Sequence, residues 1–358
     1  TDPFTNSNGE IMLDQNQTTI DNLIGSSKYD IGHVFSTGGG GIAQVRSPCG
    51  NGKARGVTGS DEPVGDPFDI DYVAHEMGHQ FGALHTQNNS CARSSSTAIE
   101  PGSGSTIMGY AGICEPNVQN NSDSYFHGVS LAAIANFVVA GTGNTCAVKI
   151  VNDNHKPEIK VAKNSYTIPI STSFFLTGQG SDSDEDNLTY CWEQINNETT
   201  TMPPKTNNTS GPAFRSLTPT NSPTRYFPDL LRRYSTWEVL PNVNRTMNFR
   251  CTVRDNYLLG GCTAETNVEV KFNALSGPFV VTYPNTPTVS WLVGSHQTVT
   301  WNVAKTDTIP INCAKVNIYL STDGGASYPF VLATNVPNIG SFEIETPALP
   351  TTRARVMV

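Results

Sequence analysis

His75-Glu76-Met77-Gly78-His79-Gln80-Phe81-Gly82-Ala83-Leu84-His85 is the stretch that decides how the rest of the chain is read. His75 and His79 are four residues apart, so on a helix they lie one above the other on the same face. Two neutral imidazoles on one face make half of a tetrahedral zinc site. Glu76 falls on the next face, where a carboxylate reaches a water at the metal without ligating. Gly82, three residues past the second histidine, is free to take the left-handed conformation that ends a helix and turns the chain back. That turn brings His85 round as a third ligand. Three protein ligands leave a fourth position open, as a catalytic zinc requires and a structural one does not. HExxH alone also occurs on ordinary amphipathic helices. The extended HExxHxxGxxH gives every fixed residue a separate geometric job.

Downstream stands Ser105-Thr106-Ile107-Met108-Gly109-Tyr110. Together the two stretches resemble the metzincin clan of zinc endopeptidases, whose Met-turn underlies the zinc site. The resemblance implies an α+β metzincin-type catalytic domain that hydrolyses peptide bonds by zinc-activated water, with Glu76 as general base and Met108 as an apolar floor. Some metzincins place a tyrosine at the spacing of Tyr110, which ligates zinc at rest and then swings to the oxyanion. Tyr110 takes that role here or serves as a wall of the cleft. Typical reprolysins follow the third histidine with aspartate, whereas this chain has Thr86, so the resemblance is to reprolysin-like enzymes; astacin-like and serralysin-like assignments stay open, although their usual residues at that position are also absent. Metzincins bind substrate in extended form along an edge strand, which points to Gly41, Ile42 and Ala43 within the glycine-rich run from Gly38.

The 358 residues suffice for two or three domains. Charged residues make up only 15% and the net charge is -9, which suits β-rich extracellular modules and argues against a nucleic-acid surface. No apolar run reaches the length of a membrane span, and no signal peptide is visible. None of the eight cysteines forms a CxxC pair. Scattered cysteines in such a chain favour disulfides and a secreted protein. Cys91 and Cys114 bracket the Met-turn segment and are expected to pair. Cys146 follows the closing helix, with Cys49 as its expected partner. Cys251 and Cys262 are a further pair, across the last hairpin of the second module.

The pattern predicts a helix over 12–23, short strands near 29–35, 42–45 and 54–58, an N-cap at Asp69 for the zinc helix, and a closing helix over 126–139. The catalytic domain is expected over 1–150. The polar stretch 151–157, ending in Pro157, is a linker. Beyond it β alternation prevails, with one Ig-like sandwich over 157–274, interrupted by a long insertion from Asn196 to Pro241, and a second all-β sandwich module over 277–358. The pieces LTYCWEQI, FRCTVRDN, TVTWNV and YLSTDGG resemble the Ig-like modules behind the catalytic domain in secreted bacterial reprolysin-like metalloproteases. Asp182, Asp184 and Asp186 crowd one turn, an oxygen-rich arrangement suited to calcium, with Asp255 or Asn256 as helpers. Asn152-Asp153-Asn154 with Pro157 resembles cadherin junctions, which hold calcium between modules.

These readings give a secreted zinc endopeptidase acting on proteins or peptides. The rival is an adhesin or matrix-binding protein with a lapsed protease domain. The residues ahead of His75 hold one helix and about three strands, too small a sheet to cover the apolar surface around Ile31, Val34 and Val73. The strand at 354–358 stops without a turn. Both ends therefore suggest a piece of a longer precursor.

Overall fold

Asn8 opens the first helix by accepting a hydrogen bond from the Ile11 amide at 3.1 Å, satisfying an amide that has no partner within the helix. The computed structural model describes residues 2–258 and 260–358; Thr1, the expected start of the first domain, lies outside them. Helix α1 (Gly9–Leu23) buries Met12, Leu13 and Asn16. Met12 and Leu13 pack with Val57, Val34 and Ile42, and Asn16 donates to the carbonyl of Ala54 at 2.6 Å. Those contacts seat the helix on a three-stranded sheet of β1 (Val34–Ser36), β2 (Gly40–Ala43) and β3 (Gly56–Gly59), in the order β1-β3-β2. β1 runs parallel to β3 and β2 antiparallel to it, so β2 is an edge.

A continuous helical run follows: α2 (Gly65–Phe68), a π-helical stretch Asp69–Ala74 and α3 (His75–Gln80). Asp69 is not the cap expected of it. The run starts earlier, after Val64, with no side-chain cap. Pro67 is the signal that outweighs Asp69, since a residue without an N–H is harmless in a first turn. Short strands β4 (Gln87–Asn88) and β5 (Glu100–Pro101) pair in parallel behind the site. Helix α4 (Gly128–Ala135) is capped by His127, whose Nδ1 accepts from the Val129 amide at 3.1 Å, and runs on as a π-helical turn Asn136–Ala140. A disulfide joins Cys49 to Cys146, with Cα atoms 5.3 Å apart, and another joins Cys91 to Cys114, 6.3 Å apart. Ile31, Val34 and Val73, expected to be exposed, are half-buried; Phe35 and Val64 are among the apolar groups exposed ahead of His75.

From Glu158 the chain is all strand. β6 (Glu158–Lys160), β7 (Ser165–Pro169), β8 (Phe174–Thr177), β9 (Gln179–Ser181), β10 (Thr189–Gln194), β11 (Thr224–Phe227), β12 (Arg245–Arg254) and β13 (Thr263–Asn273) form a four-stranded sheet β10-β12-β13-β7 and the pairs β11-β8 and β6-β9. Their inner faces enclose Trp192, Phe214, Phe227, Phe249 and Phe272. Phe214 and Phe227 come from the stretch Asn196–Pro241, so the expected insertion is a contributor to the core. The pair expected between Cys251 and Cys262 is absent; both thiols are unbonded, as are Cys191 and Cys313. Cys251 lies opposite Thr266 in the β12–β13 register, four residues from Cys262, roughly 13 Å along a strand and beyond disulfide reach.

The last strands are β14 (Val280–Tyr283), β15 (His296–Asn302), β16 (Lys315–Ser321), β17 (Phe330–Pro337), β18 (Ser341–Glu345) and β19 (Arg355–Met357), in two sheets, β14-β15-β18 and β17-β16-β19. Val299, Trp301, Ile318, Val336 and Ile344 fill the space between. The Trp301 indole donates to buried Asn338 at 2.8 Å, giving its one polar atom a partner. The molecule is thus mostly β, with few helices.

Candidate metal centre

The site grows from the end of α3. Gly82 sits at φ +100°, a conformation costly for a residue with a Cβ. The reversal there is closed by the Ala83 amide bonding to the Gly78 carbonyl at 2.9 Å. It delivers His85 beside His75 and His79, with one ligand atom from each ring within 4.8 Å of the others. Every Nδ1 faces a backbone carbonyl: His75 that of Ile107 at 2.7 Å, His79 that of Ala83 at 2.9 Å, and His85 that of Ala92 at 2.7 Å. A carbonyl only accepts, so each Nδ1 carries the proton and each Nε2 presents a lone pair. The Nε2 atoms of His79 and His85 stand 3.0 Å apart. Lone pairs brought together in this way repel unless a cation lies between them, and the donor set therefore fits a metal ion. Burial, then the neighbouring rings, holds the His75 ring well below its usual range. Burial likewise lowers His85, and pushes His79 down to about 4. At pH 7 the three imidazoles are neutral, the form that ligates.

Glu76 is 7% exposed, and its Oε2 is buried with no hydrogen-bond partner among the described residues. Burial raises its carboxyl to about 8. A side chain on Gly41 would run into this carboxyl group, so the glycine of β2 makes room for Glu76. β2 places Gly41, Ile42 and Ala43 on an unpaired sheet edge beside the site. Met108 is fully buried, and its sulfur presses on Gly78, where any Cβ would collide with it. The Tyr110 ring lies 4.6 Å from that of His85 and 5.7 Å from that of His75. Burial and then the Glu76 charge raise its phenol.

The model of "Metallo-peptidase family M12B Reprolysin-like" matches residues 1–86. That match supports a metallopeptidase in general and takes in all three histidines. No curated protein matches the chain. Among solved structures, the fibronectin(III)-like modules of CbhA from Clostridium thermocellum are similar at 10% identity, over 53% of this chain and 78% of that one, with a TM-score of 0.21. The two tandem V-type regions of VCBP3, a v-region-containing chitin binding protein, match at 11% identity over 57% of this chain and 87% of that one, TM-score 0.20. Beta-glucuronidase 3 of Bacteroides uniformis matches at 9% identity over 70% and 28%, TM-score 0.20. Likeness at this level says nothing about the site.

Two supporting residues were not legible in the sequence. Glu100, 1% exposed, gathers the segment after His85 and the turn before Met108 into one unit. Its Oε1 accepts from the hydroxyls of Thr86 (2.6 Å) and Thr106 (2.5 Å), and its Oε2 from the amides of Ser105 (2.8 Å) and Thr106 (3.2 Å). Gln80, fully buried, ties α3 to the sheet through the Gly32 carbonyl at 3.0 Å and the His33 ring at 2.8 Å. A lone carboxylate in Ala98-Ile99-Glu100-Pro101, among residues with nothing to pair it locally, is the only sequence trace of the first.

The second expected metal site lies apart, in the second module. Asp182, Asp184 and Asp186 come together with one oxygen each inside the same 4.8 Å limit. Asp182 Oδ2 and Asp186 Oδ2 are buried without hydrogen-bond partners among the described residues, as is Oδ1 of Asn154. Asp184 is held low by the His155 backbone amide and then its ring, 2.6 and 2.8 Å away. Asp186 is raised by burial and the carboxylates around it. The expected helpers are otherwise engaged: Asp255 accepts from the Cys262 amide at 2.8 Å, and the Asn256 amide group donates to the Asn187 carbonyl at 2.7 Å.

Proposed function

We propose that the chain is a secreted zinc endopeptidase of the metzincin type, with a catalytic domain over 1–150 followed by β-sandwich modules over 157–274 and 277–358. The observation that carries this reading is the convergence of three Nε2 lone pairs beside the unpartnered oxygen of Glu76. His75, His79 and His85 would hold the zinc. Bound there, zinc supplies Lewis acidity, which makes a water nucleophilic near neutral pH and stabilises negative charge on a carbonyl oxygen.

The remaining chemistry falls to the chain's own groups. Burial alone keeps the Glu76 carboxyl protonated near neutral pH; a cation held by the three histidines would draw it back to the ionised form, in which it would receive the proton of the attacking water at Oε2 and return it to the departing amide nitrogen. Tyr110, beside the His85 ring, donates its phenol hydrogen to the oxygen on which charge develops. The open edge of β2 pairs with an extended substrate backbone through Gly41, Ile42 and Ala43. Two disulfides suit an oxidising exterior. Among the described residues no helix is long and apolar enough to cross a membrane.

Glu76→Ala tests the assignment. Peptide turnover should fall by about 10²–10⁴-fold with zinc content unchanged. Substantial turnover by a zinc-loaded Glu76→Ala protein sinks the mechanism. Failure of the zinc-loaded parent to cleave any peptide leaves the binding-module reading.

Calcium at Asp182, Asp184 and Asp186 is part of the same proposal, supported by the buried oxygens without partners there. Equilibrium dialysis against calcium should leave one ion bound and raise the melting temperature of the second module. A dialysed protein carrying zinc alone counts against it.

A further inference from the structure

Residues 123–126 form a strap with contacts on both sides. On its inner side the Asp123 amide donates to the Ser105 carbonyl at 2.7 Å, and the Ile107 amide donates to the Tyr125 carbonyl at 3.2 Å. These bonds hold the segment that leads into Met108. The Phe126 ring packs with Met108 and Ile107 beneath Gly78. On its outer side the same strap is bonded to the second module. Arg215 pairs with Asp123 at 3.5 Å, the Tyr125 hydroxyl donates to Ser216 at 2.7 Å, and Arg254 donates to the Phe126 carbonyl at 3.0 Å.

The contact continues into buried ground. Ser216 donates to Glu193 at 2.5 Å, and Glu193, wholly buried on β10, accepts from the Gly128 amide at the start of α4 at 2.8 Å. A carboxyl group at full burial persists where its partners are fixed, and here those partners come from both sides of the junction. A Cβ on Gly128 would strike Thr252 and Glu193, so the helix start is fitted to the face of the sheet. A module that acted as a spacer would need none of these bonds.

We infer that the second module is a fixed part of the catalytic unit, and that it positions the floor of the metal site through the strap 123–126. Arg254, Ser216 and Arg215 are positioning residues acting on Met108 and, through the Ile107 carbonyl that receives His75 Nδ1, on the first histidine. The inference rests on the zinc-site reading above for what is positioned.

Two measurements on the full chain test it. The first is the double variant Tyr125→Phe, Arg254→Met, which removes two outer bonds and leaves every site residue in place. Chelator competition should show zinc affinity reduced about tenfold, the low end for loss of a supporting shell. The turnover number should fall while KM stays within about twofold, since the β2 edge is untouched. Unchanged zinc affinity and unchanged turnover overturn the inference. The second uses a site-specific protease sequence placed in the exposed stretch around Val148, Ile150 and Val151. No disulfide spans that point, so after cutting only the docking holds the two pieces together. They should elute as one species at micromolar concentration under native conditions; separation overturns the inference even where the double variant fails to fold. Should the parent itself bind no zinc, the reading of the site falls, and the docking is decided by the chromatography alone.

Discussion

Glu100 shows how one side chain organises a site that it does not enter. Its two oxygens collect five donors from Thr86, Ser105 and Thr106, so the backbone after His85 and the backbone before Met108 share one anchor. The hydroxyl of Thr86, directly after the third histidine, reaches a carboxylate supplied from β5. Glu100→Ala strands five buried donors, and at about 1–3 kcal/mol for each one left unsatisfied the loss is on the order of 4 kcal/mol after partial relaxation. Thermal unfolding of the variant checks this, and a loss below about 1 kcal/mol removes Glu100 from the role. The three histidines were legible because their spacing is a matter of helix geometry and one glycine. Glu100 was not, because its partners lie in two segments on either side of it and no local pattern records that they meet.

The elements around the site differ in how plainly the sequence marks them. β15 and β16 alternate cleanly between buried and open positions, and the hairpin turn after β16 follows from Asp323-Gly324-Gly325. β11 was hidden, since its residues sit in a run rich in Asn, Thr and Pro whose burial depends on Phe214 and Phe227 finding the far sheet. β2 reads as a glycine-rich edge, but the reason for Gly41 is visible only in three dimensions: the Glu76 carboxyl occupies the space of a side chain. The clash in Gly41→Ala falls on the far end of a flexible side chain, so the fold should tolerate it while Glu76 is displaced. Turnover should drop on the order of 10²-fold, as for a catalytic group misplaced by about 1 Å, with zinc content and melting temperature near those of the parent. A Gly41→Ala enzyme with full turnover would falsify the packing argument.

At the scale of the whole molecule, the linker that follows the first 150 residues has its own ionic fastening onto the second module. His155 is raised by its bond to Asp184, and Asp184 is lowered by His155. The raised histidine contributes fully below its unfolded value of 6.5 and loses that contribution as pH climbs through the folded value. The lowered aspartate contributes above its unfolded value of 3.8 and loses it as pH falls. The fastening is therefore firmest between those limits and slackens on either side. Both groups are open to water, so the effect is local. Proton NMR of the His155 ring should show a pKa above 6.5 that returns to the ordinary range in Asp184→Asn; a ring titrating alike in both proteins rules the pairing out.

The link between Cys49 and Cys146 closes a covalent ring 97 residues in span, and His75, Glu76, His79, His85, Met108 and Tyr110 all lie on it. Cys91 and Cys114 tie a smaller ring inside the first. A peptidase is the nearest substrate for its own active site, and the open loop around Glu62 and Val64 is within the ring. A single cut there adds one water to the mass but releases nothing, because both new ends remain joined through the disulfide. The molecule would in this sense outlast a first cut in that loop: a chain nicked there parts into two pieces only when a reductant is added.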